Sequence, residues 1–281
     1  MILNHLHWGI DPEIINIFGI SIRYYGLFFV SGLLLCIYIL GWIFKKESIP
    51  PENLDKLSIY GIIGIFAGAR LGHCLFYEPS YYFSHPLEIF LPITFSPTGG
   101  IKFIGYQGLA SHGGAIGLII SLILYSHKTK QSIINTIDLI AVVAALGGGF
   151  IRLANFMNSE IIGLQTSKPW GIVFDNIDNV PRHPAQLYEA ISYFAVFGLM
   201  IVLYKSNRDK LRNGFFFGLT LVLIFTARFL IEFLKERQVA FEENLTLDMG
   251  QILSIPYIIM GLAFIIYGVT KTKMISTSTE K

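Results

Sequence analysis

Residues 22–44 read IRYYGLFFVSGLLLCIYILGWIF, a run whose only charge is Arg23 at its head. A helix over these positions would be about 35 Å long at 1.5 Å per residue, enough to cross a hydrocarbon core of roughly 30 Å. Lys45-Lys46 follows the run where a signal peptide would have a small-residue cleavage site, and residues 1–22 hold no Lys or Arg. The run therefore reads as a retained span. Working outward, apolar blocks of similar length recur near 57–77, 109–126, 133–157, 185–204, 214–235 and 249–270. The sequence thus predicts an all-α polytopic membrane protein of seven transmembrane helices, a single membrane domain over 1–281.

Composition agrees with this. Hydrophobic residues make up 53% of the 281 and charged ones 14%, whereas soluble domains run at about 45–50% and about 25%. A net charge of +2 provides no global field to recruit nucleic acid or another polyanion. Cys36 and Cys74 both lie inside apolar blocks, so there is neither a disulfide framework nor a CxxC motif, and both read as small buried hydrophobes. Ten of the eleven prolines fall between the blocks, and Pro256 sits in the first turns of the last one, where a helix tolerates it best. The longest connections, 78–108 and 158–184, are rich in Pro, Gly and aromatics and are expected to form ordered external caps. The polar tail 276–281 is expected to fray.

Basic residues near span ends stay cytoplasmic. The connections after the first, third and fifth blocks, with the C-terminal tail, hold twelve of them; the opposite side holds five, Lys102, Lys168, Arg182, Lys235 and Arg237. The amino terminus is therefore expected outside and the carboxyl terminus in the cytoplasm. Four arginines remain, Arg23, Arg70, Arg152 and Arg228, within or at the edge of apolar blocks. An Arg at mid-span costs roughly 2.5–3.5 kcal/mol on insertion scales, so each needs a partner, a phosphate or the interface.

With that orientation, polar groups from all seven blocks meet at one depth in the outer half of the membrane. Arg152, Asn155, Asn158 and Glu160 end the fourth block, and Ser111-His112-Gly113-Gly114 opens the third. Arg23, Tyr24 and Tyr25 open the first, Arg70 and Tyr77 lie toward the end of the second, and Arg228 and Glu232 toward the end of the sixth. Arg182, His183, Gln186, Tyr188 and Glu189 lead into the fifth, and Gln251 opens the seventh. Such a constellation suits an anionic lipid, because Arg binds phosphate bidentately. Arg228 and Glu232, four apart, share a helix face, as do Arg152 and Asn155, three apart. For Arg23 the interfacial reading is preferred, and for Arg70 a structural ion pair and a functional role both stand. For Arg152 and Arg228, embedded among polar groups, function is the better reading.

His112 stands beside two glycines that leave room for close approach, and it could serve either as a general base or as a packing residue. His183, in Pro181-Arg182-His183-Pro184, reads as part of a rigid turn with a positioning role. The other histidines lack metal-ligand spacing, so neither a metal nor a cofactor is expected. Gly147-Gly148-Gly149 has no P-loop lysine and reads as close helix packing, and Asp138 as a structural hydrogen-bonding partner.

The run Arg152-Leu153-Ala154-Asn155-Phe156-Met157-Asn158-Ser159-Glu160-Ile161-Ile162-Gly163 resembles the signature of the bacterial prolipoprotein diacylglyceryl transferase family, roughly G-R-x-G-N-F-x-N-x-E-x-x-G. Five further segments agree in order: Arg23-Tyr24-Tyr25-Gly26, Gly68-Ala69-Arg70-Leu71-Gly72, His112-Gly113-Gly114, Arg182 through Glu189, and Arg228 with Glu232. Met249-Gly250-Gln251 through Pro256 agrees as well. Departures are Ile151 and Ala154 where the signature has Gly, Ser111 where Phe is usual, His73 where Tyr is usual, and Lys235 in place of an Arg.

The resemblance implies an enzyme of the bacterial inner membrane that moves the diacylglyceryl group of phosphatidylglycerol onto the lipobox cysteine thiol of a prolipoprotein signal peptide. It acts toward the outer leaflet, forming a thioether and releasing glycerol phosphate. No enzyme cysteine is needed. Residue by residue, the resemblance marks Tyr25, His112, Arg152, Asn155, Glu160, Gly163 and Arg228 as the core of the site. Tyr77, Asn158, His183 and Glu232 are marked as substrate-binding support. Arg152 and Arg228 would neutralise the phosphate, Tyr25 and Asn155 would orient the head group, and His112, or a carboxylate beside it, would take the thiol proton. A transporter or flippase for an anionic lipid is the competing class, though no internal repeat supports it.

Overall fold

The structure, a computed structural model, describes residues 5–17, 20–91, 93–96, 100–103, 108, 110–237 and 246–276; most of the tail expected to fray lies outside the described residues. The chain is mostly helical. Among the described residues, six helices are long and apolar enough to cross a membrane: α1 (Tyr24–Lys46), α2 (Pro51–Phe76), α6 (Ile133–Met157), α7 (Ala185–Asn207), α8 (Phe215–Glu232) and α9 (Met249–Ser276). The third block, the one of the seven left over, forms a helix too, α5 (Ser111–Thr129), but His112 at one end and Ser126-His127-Lys128 at the other dilute its apolar character. Helix α2 starts six residues before its apolar block, because Pro51 is preset for the first helical turn and Glu52 suits the positive end of the helix dipole.

The connections contain short pieces of regular structure that a count of spans does not anticipate. Strands β1 (Leu6–Trp8), β6 (Ile172–Phe174) and β7 (Pro181–Arg182) form one sheet in the order β1-β6-β7. Strands β2 (Glu13–Ile17) and β3 (Ile20–Arg23) pair antiparallel, as do β4 (Ile93–Ser96) and β5 (Gly100–Phe103). Two short helices, α3 (Pro79–Ser84) and α4 (Leu87–Phe90), follow α2. The strands qualify the all-α expectation, although each is only two to five residues long.

Backbone contacts divide the chain into two compact units, Met1–Ile43 with Ile137–Lys281, and Phe44–Thr136. In the first, small residues let helices approach closely. A Cβ on Gly32 would strike the Phe150 ring, and one on Gly149 the Phe194 ring. Cys36 donates from Sγ to the Val143 carbonyl at 3.4 Å. The triple glycine thus serves packing. Asp138, fully buried in α6, accepts from the Phe217 amide at 2.8 Å and pairs with Arg208 at 3.2 Å, so it caps the first turn of α8. Phe156 at the end of α6 packs with Ile162, Ile172 and Phe174, and the Trp8 ring lies tilted against it at 4.4 Å between centroids. That small apolar cluster fixes the end of α6 against the sheet.

In the second unit, α2 and α5 meet through glycines with almost no side chain between them. A Cβ on Gly68 or Gly72 would collide with Gly113, and one on Gly64 with Gly117 and Ser121. Arg70 turns away from the helix and binds the carbonyls of Glu88 and Ile89, the latter at 3.2 Å, with the Tyr82 hydroxyl at 3.3 Å and the Tyr82 ring beneath it. Its charge holds the α3–α4 segment against α2, a structural role.

Candidate functional site

The densest polar cluster of the first unit lies at the end of α6 and in the turn that follows. Arg152 and Asn155 stand one turn apart on α6, and Arg152 Nη1 donates to Asn155 Oδ1 at 3.3 Å. Asn155 Nδ2 in turn donates to Glu160 Oε2 at 3.0 Å, and Asn158 Nδ2 to Glu160 Oε1 at 3.0 Å. Both oxygens of one carboxylate are thus held by neutral amides. The turn that delivers Glu160 is strained on both sides: Ser159 has φ 54° and Ile161 has φ 55°. A β-branched residue in the left-handed region is a true outlier, and such strain persists only where the surroundings overdetermine it. Here they do, since the Glu160 amide bonds the Asn155 carbonyl at 2.9 Å and Gln186 donates to the Glu160 carbonyl.

A second set of charges lies against the first. Glu189 of α7 is wholly buried, and its Oε2 sits 2.9 Å from Arg152 Nε as a charge contact without hydrogen-bond alignment. Its other oxygen receives Lys235 Nζ at 2.9 Å, and Lys235 also reaches Glu232 Oε2 at 3.0 Å. Cations and carboxylates therefore alternate from Arg152 to Glu232. Lys235 is only 4% exposed, so it is not the solvated external charge that its place between two spans suggested. Glu232 pairs with Lys235, not with Arg228 on its own helix face. Gly250 leaves the space that the Glu232 carboxyl occupies.

Arg228, half-buried in α8, makes no hydrogen bond or ion pair among the described residues. Its charge, with those of Glu189 and Arg152, acts on the buried Tyr193 hydroxyl. Tyr25 at the start of α1 lies in the fields of Glu160 and Arg152. The first unit therefore gathers Tyr25, Arg152, Asn155, Asn158, Glu160, Arg228 and Glu232.

The remaining predicted residues have distinct places. Gly163 forms a three-segment junction: its amide bonds the His183 carbonyl at 2.9 Å, and the Leu164 amide bonds the Leu234 carbonyl at 2.8 Å. A Cβ on Gly163 would strike His183 and Leu234 backbone, so only glycine fits there. Arg182 locks the same junction through Asp178, Glu236 and the Gly163 carbonyl. That holds the Asp178 carboxyl below its ordinary range, chiefly through the Arg182 hydrogen bonds. His183 Nδ1 contacts the Tyr188 hydroxyl at 3.0 Å, and burial, with Lys168 nearby, pushes its pKa below the ordinary histidine value. In the second unit, Tyr77 is exposed at the end of α2 and stacks on His73. His112, exposed in the first turn of α5, has no hydrogen-bond partner among the described residues.

Sequence reading missed two members of this cluster. The burial of Lys235 depends on Glu189, forty-six positions earlier, and only the Glu232/Lys235 spacing of three hinted at it. Tyr193 looks from sequence like any core aromatic.

The family described as prolipoprotein diacylglyceryl transferase matches residues 12–267. The chain is 52% identical over 266 residues to the phosphatidylglycerol–prolipoprotein diacylglyceryl transferase of Bacteroides fragilis, covering 95% of this chain and 96% of that protein. It is similar to enzymes of the same name from Tolumonas auensis, at 44% identity over 93% of this chain and 96% of the relative. The one from Chloroherpeton thalassium shares 41% identity over 98% of both chains.

Proposed function

Because the chain belongs to the prolipoprotein diacylglyceryl transferase family, we propose that it transfers the diacylglyceryl group of phosphatidylglycerol to the lipobox cysteine thiol of a prolipoprotein, the first step of lipoprotein maturation. In this step the thiolate sulfur bonds to the glyceryl carbon as that carbon's bond to the phosphate oxygen breaks. Glycerol phosphate departs with the electron pair, and the thiol proton passes to a base.

One observation carries the reading: Arg228 lacks a hydrogen bond or ion pair among the described residues, while Arg152, Lys235, Glu189, Glu232 and Glu160 are all engaged. An unneutralised guanidinium half-buried in a spanning helix calls for an anion, and the phosphate of the lipid donor supplies it. Arg228 is thus the phosphate ligand, with Arg152 beside it aimed by Glu189 and Asn155. Tyr25 and Asn155 orient the head group, and Asn158, Glu160, Gly163, His183, Glu232 and Tyr77 support substrate binding. His112, or a carboxylate, takes the thiol proton, and an imidazole with no hydrogen-bond partner among the described residues suits that duty.

The chain spans the bacterial inner membrane seven times as one domain, with the amino terminus and caps outside and the site toward the outer leaflet. The distribution of Lys and Arg supports this orientation. Close glycine packing between α5 and the spanning helix α2 supports the seventh crossing, as does the 19-residue length of α5. The test is incubation of purified protein with phosphatidylglycerol and a lipobox peptide, read by mass spectrometry. A diacylglyceryl mass increase that disappears in Arg228→Ala is expected. No increase with the wild type would overturn the transferase, and full activity in Arg228→Ala would overturn the phosphate assignment.

A further inference from the structure

The β2–β3 hairpin has two faces of opposite chemistry, and a bulge sharpens the difference. Ile15 lies opposite Ile22, and Asn16 opposite Ser21, so Ile15, Ile17 and Ile22 share one face while Asn16 and Ser21 share the other. In strict alternation Glu13 would join the isoleucines. The register shifts between Glu13 and Ile15, however, so that Glu13 pairs with Arg23 and accepts a hydrogen bond from the Ser21 hydroxyl. The extra residue, Ile14, thereby returns the acidic side chain to the polar face. What remains is a face of isoleucines, 51%, 43% and 44% exposed at Ile15, Ile17 and Ile22. Scattered exposed apolar residues are ordinary; on a small hairpin, an apolar face set against one that carries Glu13, Asn16, Ser21 and Arg23 is not.

The position of the hairpin indicates what covers that face. No residue separates β3 from α1, whose first residue is Tyr24, and the Tyr24 amide bonds the Pro12 carbonyl at 3.1 Å, closing the base of the hairpin onto the helix. Four residues of strand span about 13 Å, so the isoleucines stay within that distance of the point where a spanning helix begins. Helix α1 exposes its own apolar side at Leu27, Val30, Leu34 and Tyr38, a surface that in a spanning helix meets lipid. The isoleucine face continues that surface past the helix end, where Tyr24 and Tyr25 mark the interfacial level.

We propose that the β2–β3 hairpin lies in the membrane interface, with the Ile15, Ile17 and Ile22 face seated in the bilayer and the Glu13, Asn16, Ser21 and Arg23 face toward water. It acts as an interfacial anchor for the start of α1, its apolar face sunk by about 5–10 Å into the boundary between head groups and acyl chains. The inference depends on α1 spanning the membrane and is independent of the transferase reading.

The test is spin labelling of the full chain in phosphatidylglycerol/phosphatidylethanolamine vesicles, with single cysteines at Ile15, Ile17, Ile22, Asn16 and Ser21. Cys74 is buried and Cys36 is engaged with Val143, so the introduced thiol takes the label. Power saturation compares oxygen, which concentrates in lipid, with a water-soluble nickel chelate. The depth parameter is expected to be positive at 15, 17 and 22 and negative at 16 and 21. Chelate-dominated values at all five positions would overturn the proposal in favour of a hairpin standing in water. Protection from both reagents at 15, 17 and 22 would overturn it in favour of a protein partner on that face.

Discussion

Arg152 and Arg228 share a chemistry but differ in their surroundings, and so in what their removal costs. Replacing Arg228 with Ala removes a charge that makes no hydrogen bond or ion pair among the described residues, so transfer is expected to fall by about 10²-fold or more with a nearly unchanged melting temperature. Arg152→Ala also leaves Glu189 buried with one cation fewer; it is expected to lose activity and up to about 3 kcal/mol of stability, the low end for a broken buried pair, since Lys235 stays beside Glu189. Activity assays beside thermal denaturation in detergent separate the two, and equal destabilisation would sink the distinction. Nearby, Gly163→Ala places a methyl group against two backbone carbonyls and is expected to cost about 1–3 kcal/mol. Ile161→Gly relieves a left-handed φ and is expected to leave the melting temperature level or raised. The signature run made Arg152, Asn155 and Glu160 legible in sequence. The contacts of Glu189 with Arg152 and Lys235 were not, because Glu189 reaches both from α7 and no local spacing encodes those contacts.

Element boundaries were readable wherever apolar length and punctuation coincide. The fourth block matches α6 to the residue, and Pro184 precedes α7 as expected. Three-residue strands such as β6 carry too little alternation to be seen, and Arg70 gave no sign that it would bind α4 carbonyls, because that contact depends on how the chain folds back. Between α2 and α5 the glycines themselves form the contact, so Gly117→Leu, facing the Gly64 backbone, is expected to separate the pair and sharply lower the melting temperature. Gly61→Leu, on open surface, is expected to change little, and similar losses in both would refute the account. The junction of the 158–184 segment has its own pH signature. Since the folded state holds His183 below its ordinary value of about 6.5, the unfolded chain takes up the proton first as pH falls. Stability is therefore complete above that value and declines on acidification below it. Denaturation between pH 7.5 and 5.5 is expected to show a smaller decline in His183→Gln. Asp178, held low by Arg182, keeps its charge through this window and adds nothing to it.

For the molecule as a whole, the pattern of Lys and Arg makes the orientation testable without any structure. In intact cells an impermeant maleimide is expected to label Ser167→Cys and to reach Lys210→Cys only after permeabilisation; the reverse would invert the topology. The apolar helices were legible because bilayer thickness acts on each segment separately, whereas the ion-pair cluster needs several helices assembled. Asp138 brings this to the order in which the chain is made. Its cation, Arg208, lies 70 positions later, and the amide it caps, Phe217, lies 79 later. At synthesis rates of about 5–20 residues per second, α6 waits roughly 4–14 s for the first of them. During that wait the second turn of α6 carries a carboxylate with neither its cation nor the amide it caps. Helix α6 is therefore expected to commit late, settling into lipid once α7 and the turn before α8 have emerged. Its stable insertion is timed by the chain that follows it.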